Sequence, residues 1–245
     1  MDLKILGCAT PFPTRNNPCS GFLLSEDGSA VLLDCGSGVF AELLEDVNPN
    51  DLSGVWISHV HPDHFADMPA LANWALNTPD ARKLPVFGPD GWDRRLNYFL
   101  SGDPNSGLSG RIFEVGYIAD GDSIDLGSLR LYSRAVQHSV PGYGVRITDG
   151  RASFAYSGDT GPCDALSELA SKVDLLLCEA GSDHPAEYHL TTQQAYDVAV
   201  AAEVGELVLT HIPGGPSRVD ADRLDRDKLL VGVARPGDRW LVGRE

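Results

Sequence analysis

The sequence predicts an α/β protein with its chemistry at the ends of strands. Short runs rich in β-branched and aromatic residues, such as 54–57, indicate buried strands, whereas 68–77 carries apolar residues at helical spacing. Five of the seven histidines lie where an apolar run passes into a loop. Because α/β folds keep functional residues on such loops, these observations predict one site along a sheet edge.

The first half of the chain alternates strands with helices. The predicted strands are 3–8, 20–24, 30–34, 54–57 and 84–88, and the predicted helices are 39–46, 68–77 and 92–100. Residues 26–29 supply a hairpin turn, and Asp67 is a plausible N-terminal cap for the helix at 68–77. Residues 101–110, rich in Gly, Ser and Asn, predict a flexible stretch that is either a lid or a surface loop without function.

The second half begins with an all-β run over 111–156, in which Asp-Gly and Leu-Gly turns join short strands. Helices are predicted near 164–171 and 192–204, with strands at 173–178 and 206–210. We expect 206–210 to be the final core strand. The even spread of strand-like runs over 245 residues predicts a single domain, 1–245.

Composition indicates a soluble globular enzyme, with 42% hydrophobic and 22% charged residues and no apolar run long enough to span a membrane. The first eight residues predict a strand, not a signal peptide. Five scattered cysteines, with no Cys-x-x-Cys pair, favour neither disulfides nor a cysteine zinc site. We therefore expect a cytoplasmic protein without a membrane partner.

The formal charge of −16 repels a nucleic-acid backbone and disfavours a polymeric RNA or DNA partner. A small anionic substrate remains compatible with this charge. Two bound dications would set the local potential whatever the net charge of the chain.

Residues 58–64, SHVHPDH, form the central motif. His59 and His61 are two residues apart, so in an extended backbone their side chains point the same way and can bind one cation. Asp63 and His64 face elsewhere and can bind a second ion a few Å away. Pro62 disfavours helical continuation, so we expect the motif to lie on a loop.

Three further strand ends carry metal-binding side chains. His138 and His211 each close an apolar run, and Asp159 lies in a glycine-containing turn that suits a ligand shared by two ions. The predicted metal ligands are His59, His61, Asp63, His64, His138, Asp159 and His211. This set suits two divalent ions, with zinc the expected metal and manganese the alternative.

Two buried acids are predicted to support the site without binding metal. Asp34 ends the strand at 30–34, where it either orients a metal ligand or caps the helix at 39–46. Glu179 ends a strongly apolar strand and is expected to orient a ligand through a hydrogen bond.

The order HVHPDH at 59–64, then His138, Asp159 and His211, resembles the metallo-β-lactamase-fold hydrolases. That resemblance implies a four-layer αβ/βα sandwich with a dinuclear site along one edge. Further segments resemble the ribonuclease Z branch, namely LLDCGSG at 32–38, SGDT at 157–160, CEA at 178–180, HLT at 189–191 and LTHI at 209–212. In that branch the residue matching His189 faces the scissile phosphate, which implies phosphodiesterase chemistry.

Only twenty residues separate His138 from Asp159, which leaves no room for the basic arm that tRNA 3′-processing relatives insert there. The chain most resembles compact bacterial and phage cyclic-nucleotide phosphodiesterases, including the anti-Pycsar enzymes. This resemblance implies a homodimer that converts 3′,5′-cyclic nucleotides to 5′-monophosphates and counteracts anti-phage signalling. The alternatives are a ribonuclease Z-like tRNA 3′ endonuclease, a nucleotide-sequestering protein without catalysis, and another small-molecule metallo-hydrolase acting on lactones or thioesters.

Two-metal chemistry implies a metal-activated hydroxide as the nucleophile. Asp63 is then a catalytic residue that holds both a metal and the hydroxide. His189, if protonated, stabilises the transition state or protonates the leaving 3′-oxygen.

Overall fold

The computed structural model describes residues 1–219, 224–225 and 227–243. The helices within these ranges are α1 Val39–Leu44, α2 Pro62–Phe65, α3 Met68–Asn77, α4 Trp92–Ser101, α5 Ser109–Ile112, α6 Asp164–Ala170 and α7 Thr192–Ala201. The strands are β1 Asp2–Gly7, β2 Gly21–Glu26, β3 Ser29–Leu33, β4 Gly54–Trp56, β5 Leu84–Gly88, β6 Phe113–Tyr117, β7 Ser123–Leu126, β8 Leu129–Ala135, β9 Tyr143–Thr148, β10 Ser153–Tyr156, β11 Leu175–Glu179, β12 Glu206–Thr210, β13 Leu230–Val233 and β14 Arg239–Leu241. Short 3₁₀ turns cover Pro49–Asp51 and Pro216–Arg218.

The strands form two seven-stranded mixed sheets. Their orders are β14-β1-β2-β3-β4-β5-β6 and β13-β12-β11-β10-β9-β8-β7. In the first sheet the pairings from β14 to β3 are antiparallel and those from β3 to β6 are parallel. In the second, the pairings from β7 to β10 are antiparallel and those from β10 to β13 are parallel. The parallel strands of each sheet therefore end at a common edge.

Three apolar clusters bind the layers together. The inner cluster joins the two sheets and contains the fully buried Phe22, Trp56 and Phe154. One outer cluster packs α1, α3 and α4 on the first sheet, and another packs α6 and α7 on the second. Full burial of a large apolar side chain contributes roughly 1.5–3 kcal/mol, so these clusters dominate the stability. The α/β prediction and the four-layer αβ/βα sandwich are confirmed.

Local sequence accounts for individual elements. The hairpin of β2 and β3 turns at Asp27 and Gly28, both at positive φ (46° and 79°), as predicted for 26–29. The helix α7 begins with a capping box, in which the Thr191 hydroxyl accepts from the Gln194 N–H and the Gln194 side chain accepts from the Thr191 N–H.

Several predictions were wrong. The motif does not lie wholly on a loop, because Pro62 occupies the first turn of α2, where its missing N–H is not needed, and Asp63 and His64 follow it within the helix. The all-β run over 111–156 starts too early, since α5 extends to Ile112.

The strand at 206–210 is also not the last. β13 pairs parallel with it, and β14 pairs antiparallel with β1. Both late strands are short, four and three residues, so their apolar pattern is weak.

Asp67 immediately precedes α3 but makes no side-chain cap there; its carboxylate instead accepts from the Phe40 N–H of α1 at 2.9 Å. Within the described residues, no helix is long and apolar enough to cross a membrane.

Candidate metal centre

The site forms where strands of both sheets end. β4 leads into His59 and His61, and α2 then turns Asp63 and His64 toward the space between the sheets. From the second sheet, Asp159 follows β10 and His211 follows β12, while His138 follows β8. Because the parallel strands of the two sheets end at one edge, residues distant in sequence meet there.

The helix α2 is held in place by the segment that follows β3 and by Ser20, which directly precedes β2. The Cys35 N–H donates to the His64 carbonyl at 2.9 Å, and the Ser20 N–H donates to the Asp63 carbonyl at 3.0 Å. Gly36 permits this approach, because a Cβ at that position would lie 2.1 Å from the Asp63 carbonyl oxygen. The glycine-rich segment after β3 is therefore a packing surface for the ligand-bearing helix.

His59, His61 and His138 form the three-histidine group. His61 Nδ1 lies 3.1 Å from His59 Nε2 and 3.1 Å from His138 Nε2. Burial lowers the pKa of all three, and for His59 it does so to well below the ordinary value. Neutral imidazoles with converging nitrogen lone pairs are the state that binds a cation.

Asp63, His64, Asp159 and His211 form the aspartate group, and all four are buried. Asp159 lies at its centre, with Oδ1 3.2 Å from His64 Nε2 and Oδ2 3.1 Å from His211 Nε2. Its Oδ2 is also 3.6 Å from His59 Nε2, so it lies between the two groups. Asp63 Oδ2 lies 3.9 Å from Nε2 of both His64 and His211.

Charge stabilises the aspartate group from within. Burial by itself would raise the pKa of Asp159, but His211 and His64 outweigh it and hold that pKa well below the usual range. For His64, burial by itself would lower the pKa, but the nearby carboxylates of Asp159 and Asp34 outweigh burial and raise that pKa well above its usual range.

The two groups together contain five histidines, and hydrogen bonds on the side away from the centre orient four of them. Each uses Nδ1 for an outer partner and so points Nε2 at the centre: His59 to Ser58 Oγ (3.0 Å), His64 to Asp34 Oδ2 (2.7 Å), His138 to the Tyr188 carbonyl (3.3 Å) and His211 to Ser20 Oγ (3.4 Å). Such partners fix the ring orientation of metal-binding histidines. His61 differs, because it presents Nδ1.

Asp34 is the most heavily used of these partners. It is fully buried and accepts from the Ser58 N–H and Oγ, from the Tyr156 hydroxyl and from His64, all within 2.7–2.8 Å. The alternative role as a cap of α1 is not observed, since the side chain that accepts from a first-turn N–H of α1 is Asp67, through Phe40.

The two groups fit divalent metal ions. A tetrahedral ion with ligands at 2.0–2.2 Å separates those ligands by about 3.4 Å, close to the 3.1–3.9 Å measured within the groups. His64 Nε2 and Asp159 Oδ1 are moreover buried and lie 3.2 Å apart, and neither makes a well-aligned hydrogen bond with another group in the described structure. Such atoms are costly unless a cation satisfies them.

His189 and Glu179 form a pair beside the metal ligands. Glu179 is fully buried, and its Oε1 accepts from the Thr160 N–H at 2.8 Å and contacts His189 Nδ1 at 3.0 Å. The pKa of His189 is raised by that hydrogen bond, against the opposing effect of burial. Its ring stacks on His211 at 5.7 Å and lies 5.4 Å from the His138 ring, so a histidine whose protonated form is favoured borders both groups.

Sequence reasoning missed several contributors to the site. Through side-chain oxygens, Thr10 and Ser20 contact members of the aspartate group, and Ser58 and Tyr156 contact Asp34. Only Ser58 had a local signal, because it directly precedes His59. The seventh histidine, His184, is exposed and belongs to neither group.

Comparison with known proteins agrees with this geometry. The family model described as a beta-lactamase superfamily domain matches residues 29–212. An uncharacterized protein of Mycobacterium leprae is 39% identical over 229 residues, covering 89% of this chain and 80% of that protein. A ribonuclease Z of Mycolicibacterium gilvum is 28% identical over 247 residues, covering 86% of this chain and 84% of its own.

Solved structures show the same fold. The metallo-beta-lactamase fold protein YhfI of Bacillus subtilis superposes with a TM-score of 0.81 at 26% identity, covering 98% of this chain and 99% of that one. By sequence, the same relative is a probable metallo-hydrolase, 29% identical over 222 residues and 87% of each chain. The short form of human tRNase Z has a TM-score of 0.78 at 22% identity, covering 99% of both chains. The chain belongs to the β-lactamase superfamily and is a metal-dependent hydrolase related to ribonuclease Z.

Proposed function

We propose that the chain is a dinuclear phosphodiesterase that hydrolyses 3′,5′-cyclic nucleotides to 5′-monophosphates. The observation that carries this proposal is the His189–Glu179 pair beside the two ligand groups. A hydrogen bond of 3.0 Å to a buried carboxylate favours the protonated ring. A protonated histidine can bind the anionic phosphate of a phosphodiester and can protonate its leaving oxygen. A neutral lactone has no anionic group for the histidine to bind.

The compact region between His138 and Asp159 supports a small substrate. It contains only β9 and β10 with their connections, and the net charge is −16. A tRNA-cleaving enzyme needs a cationic surface for a polymeric backbone. The ribonuclease Z relatives nevertheless make the tRNA 3′ endonuclease the second candidate.

The protein's own residues divide the work of such a reaction. The three-histidine and aspartate groups would hold two divalent ions, zinc by their nitrogen and oxygen donors, with manganese as the alternative. Bound there, the ions supply an acidified water and neutralise phosphate charge. Asp63, whose Oδ2 accepts from the Thr10 hydroxyl at 3.1 Å, orients the attacking water, and His189 donates its proton to the departing 3′-oxygen.

The test compares metal-loaded wild-type protein with His189→Ala on cyclic AMP, cyclic GMP and a 3′-extended tRNA precursor. We expect cyclic-nucleotide hydrolysis to fall about 10²–10⁴-fold in the variant while both ions stay bound. His184→Ala, an exposed histidine five residues away, is the matched control. Cleavage of the tRNA alone would replace the proposal with the second candidate, and a fully active His189→Ala would refute the assigned role.

We further propose a homodimer, supported by a groove of about 950 Å³ whose walls come from α2, α3 and α4. Tyr98 and Phe99 in this groove are 63% and 72% exposed, and Arg94 and Arg95 lie beside them. Aromatic residues and arginine are enriched at protein interfaces. Light scattering should give twice the chain mass for wild type and a shift toward monomer for Phe99→Asp.

The proposed setting is the cytoplasm, where cyclic nucleotides act as signals. All five cysteines are free thiols, and four of them are buried, as expected in a reducing compartment. Destruction of cyclic nucleotides there would also suit an anti-phage-signalling role, testable by expressing the protein in cells that use such a defence.

A further inference from the structure

The segment between β1 and β2, residues 10–19, is called here the Phe12 loop. Its first residue and the residue that directly follows it both contact the aspartate group. At one end the Thr10 hydroxyl donates to Asp63 Oδ2 at 3.1 Å. At the other, Ser20 follows the loop directly and lies 3.4 Å from His211 Nδ1 through its Oγ. The loop therefore stands on the rim of the metal centre.

Hydrogen bonds hold the Phe12 loop in one shape. The Ala9 N–H donates to the Pro18 carbonyl at 2.9 Å, and the Cys8 N–H donates to the buried side chain of Asn17 at 3.0 Å. Thr14 and Asn17 exchange backbone hydrogen bonds of 2.9 and 3.3 Å across the tip. Three prolines at positions 11, 13 and 18 restrict the backbone further. A side chain on this loop is consequently presented at a defined position.

Two side chains of the Phe12 loop, Phe12 and Arg15, are exposed to solvent. Phe12 is 66% exposed; of the other seven phenylalanines only Phe99, in the groove described above, is also exposed, and the remaining six are buried or half-buried. Arg15 is exposed and makes no ion pair or side-chain hydrogen bond with any residue that the structure describes. In a chain with 35 acidic and 19 basic residues, an arginine of this loop without a partner in the described structure adds positive local charge.

We propose that Phe12 stacks on the nucleobase of the substrate and that Arg15 attracts the anionic nucleotide to this rim. The inference rests on the proposed phosphodiesterase function and names what recognises the base. An exposed aromatic ring and a guanidinium carried on one short loop are the side-chain chemistry that binds nucleobases with little sequence preference. Phe12 lies two residues from Thr10, so its Cα is within about 7 Å of the residue that contacts Asp63.

The test measures equilibrium binding by calorimetry, so that no turnover is needed. The probes are a non-hydrolysable phosphorothioate of 3′,5′-cyclic AMP and the same cyclic phosphorothioate without a base. The proteins are metal-loaded wild type, Phe12→Ala, Phe12→Trp and Leu44→Ala, the last an exposed apolar residue on α1. We expect Phe12→Ala to bind the cyclic AMP analogue roughly tenfold more weakly, with Phe12→Trp and Leu44→Ala close to wild type. All four should bind the baseless probe equally.

Three results would overturn the stacking role: unchanged binding by Phe12→Ala, equal weakening of both probes, or a changed oligomeric state in that variant, which would mean that Phe12 contacts a second copy. Hydrolysis of bis(p-nitrophenyl) phosphate by the wild-type protein separates this inference from the proposed function. If that phosphodiester is cleaved and Phe12→Ala binds normally, only the inference falls. If wild type cleaves no phosphodiester with both ions bound, the proposed function falls and takes the inference with it.

Discussion

The two ligand groups differ in burial and in ligand chemistry. The aspartate group is entirely buried and combines two carboxylates with two imidazoles, whereas His61 and His138 of the three-histidine group are half-buried. Negative ligands in a dry environment attract a dication more strongly than neutral ones near solvent. We therefore expect an ion in the aspartate group to be held more firmly, and the three-histidine group to be the more accessible to solvent.

Asp159→Ala should have the largest effect, because this carboxylate contacts both groups. It lies 3.6 Å from His59 Nε2 and 3.1–3.2 Å from the nearest nitrogens of His64 and His211. We expect hydrolysis to fall below detection and the metal content, measured by mass spectrometry, to fall below two ions per chain. Asp183→Ala, at an exposed acid paired with Arg218, is the control and should keep both ions. A fully loaded Asp159→Ala protein would contradict a shared ligand.

Asp34→Ala should come next, because it removes a buried acceptor of four hydrogen bonds. Breaking a buried charge pair while its partners stay behind costs about 3–5 kcal/mol, and loss of an orienting partner weakens metal binding about 10–100-fold. Denaturant unfolding of the metal-free protein and metal titration measure these two effects separately.

Asp67→Ala is the matched comparison for Asp34→Ala. Its carboxylate accepts from a backbone N–H of α1 at 2.9 Å and contacts no metal ligand through a hydrogen bond in the described structure. We expect a loss of about 1 kcal/mol in unfolding free energy, as for a helix cap, with metal affinity unchanged. Equal metal affinity in the two variants would refute the orienting role of Asp34.

His138→Ala tests the difference between the groups directly. It leaves the three-histidine group with His59 and His61 only, while the aspartate group keeps its ligands. We expect the variant to retain about one ion per chain and to lose most activity. In wild type, graded chelation should likewise remove one ion before the other. Loss of both ions together, in the variant and on chelation, would show that the groups bind cooperatively.

Ser20→Ala should have the smallest effect. Its Oγ lies 3.4 Å from His211 Nδ1, which is long for a hydrogen bond, and the serine hydroxyl is uncharged. We expect metal affinity to fall by less than about tenfold and the unfolding free energy to change by about 1 kcal/mol or less. A larger loss of affinity than in Asp34→Ala would invert the assigned order of the orienting contacts.

Much of the centre could be predicted because its signals are local. The two-residue spacing of His59 and His61 follows from strand geometry, and the strand ends before His138 and His211 are visible as apolar runs. The start of α2 could not be predicted with the same rule, because Pro62 is compatible both with a loop and with a first helical turn. Short late strands such as β14 depend on a partner strand far away in sequence and left little local pattern.

The sequence by itself determined the α/β class, the residue types of the ligands and their placement at strand ends, since hydrophobic periodicity and side-chain chemistry are properties of neighbouring residues. Tertiary structure alone decided which ring nitrogen each histidine presents and which distant group holds it. Ser20 and His211 are 191 positions apart, and Tyr156 and Asp34 are 122 apart. Their contact depends on how the strands of two sheets pack face to face, and no local pattern encodes that geometry.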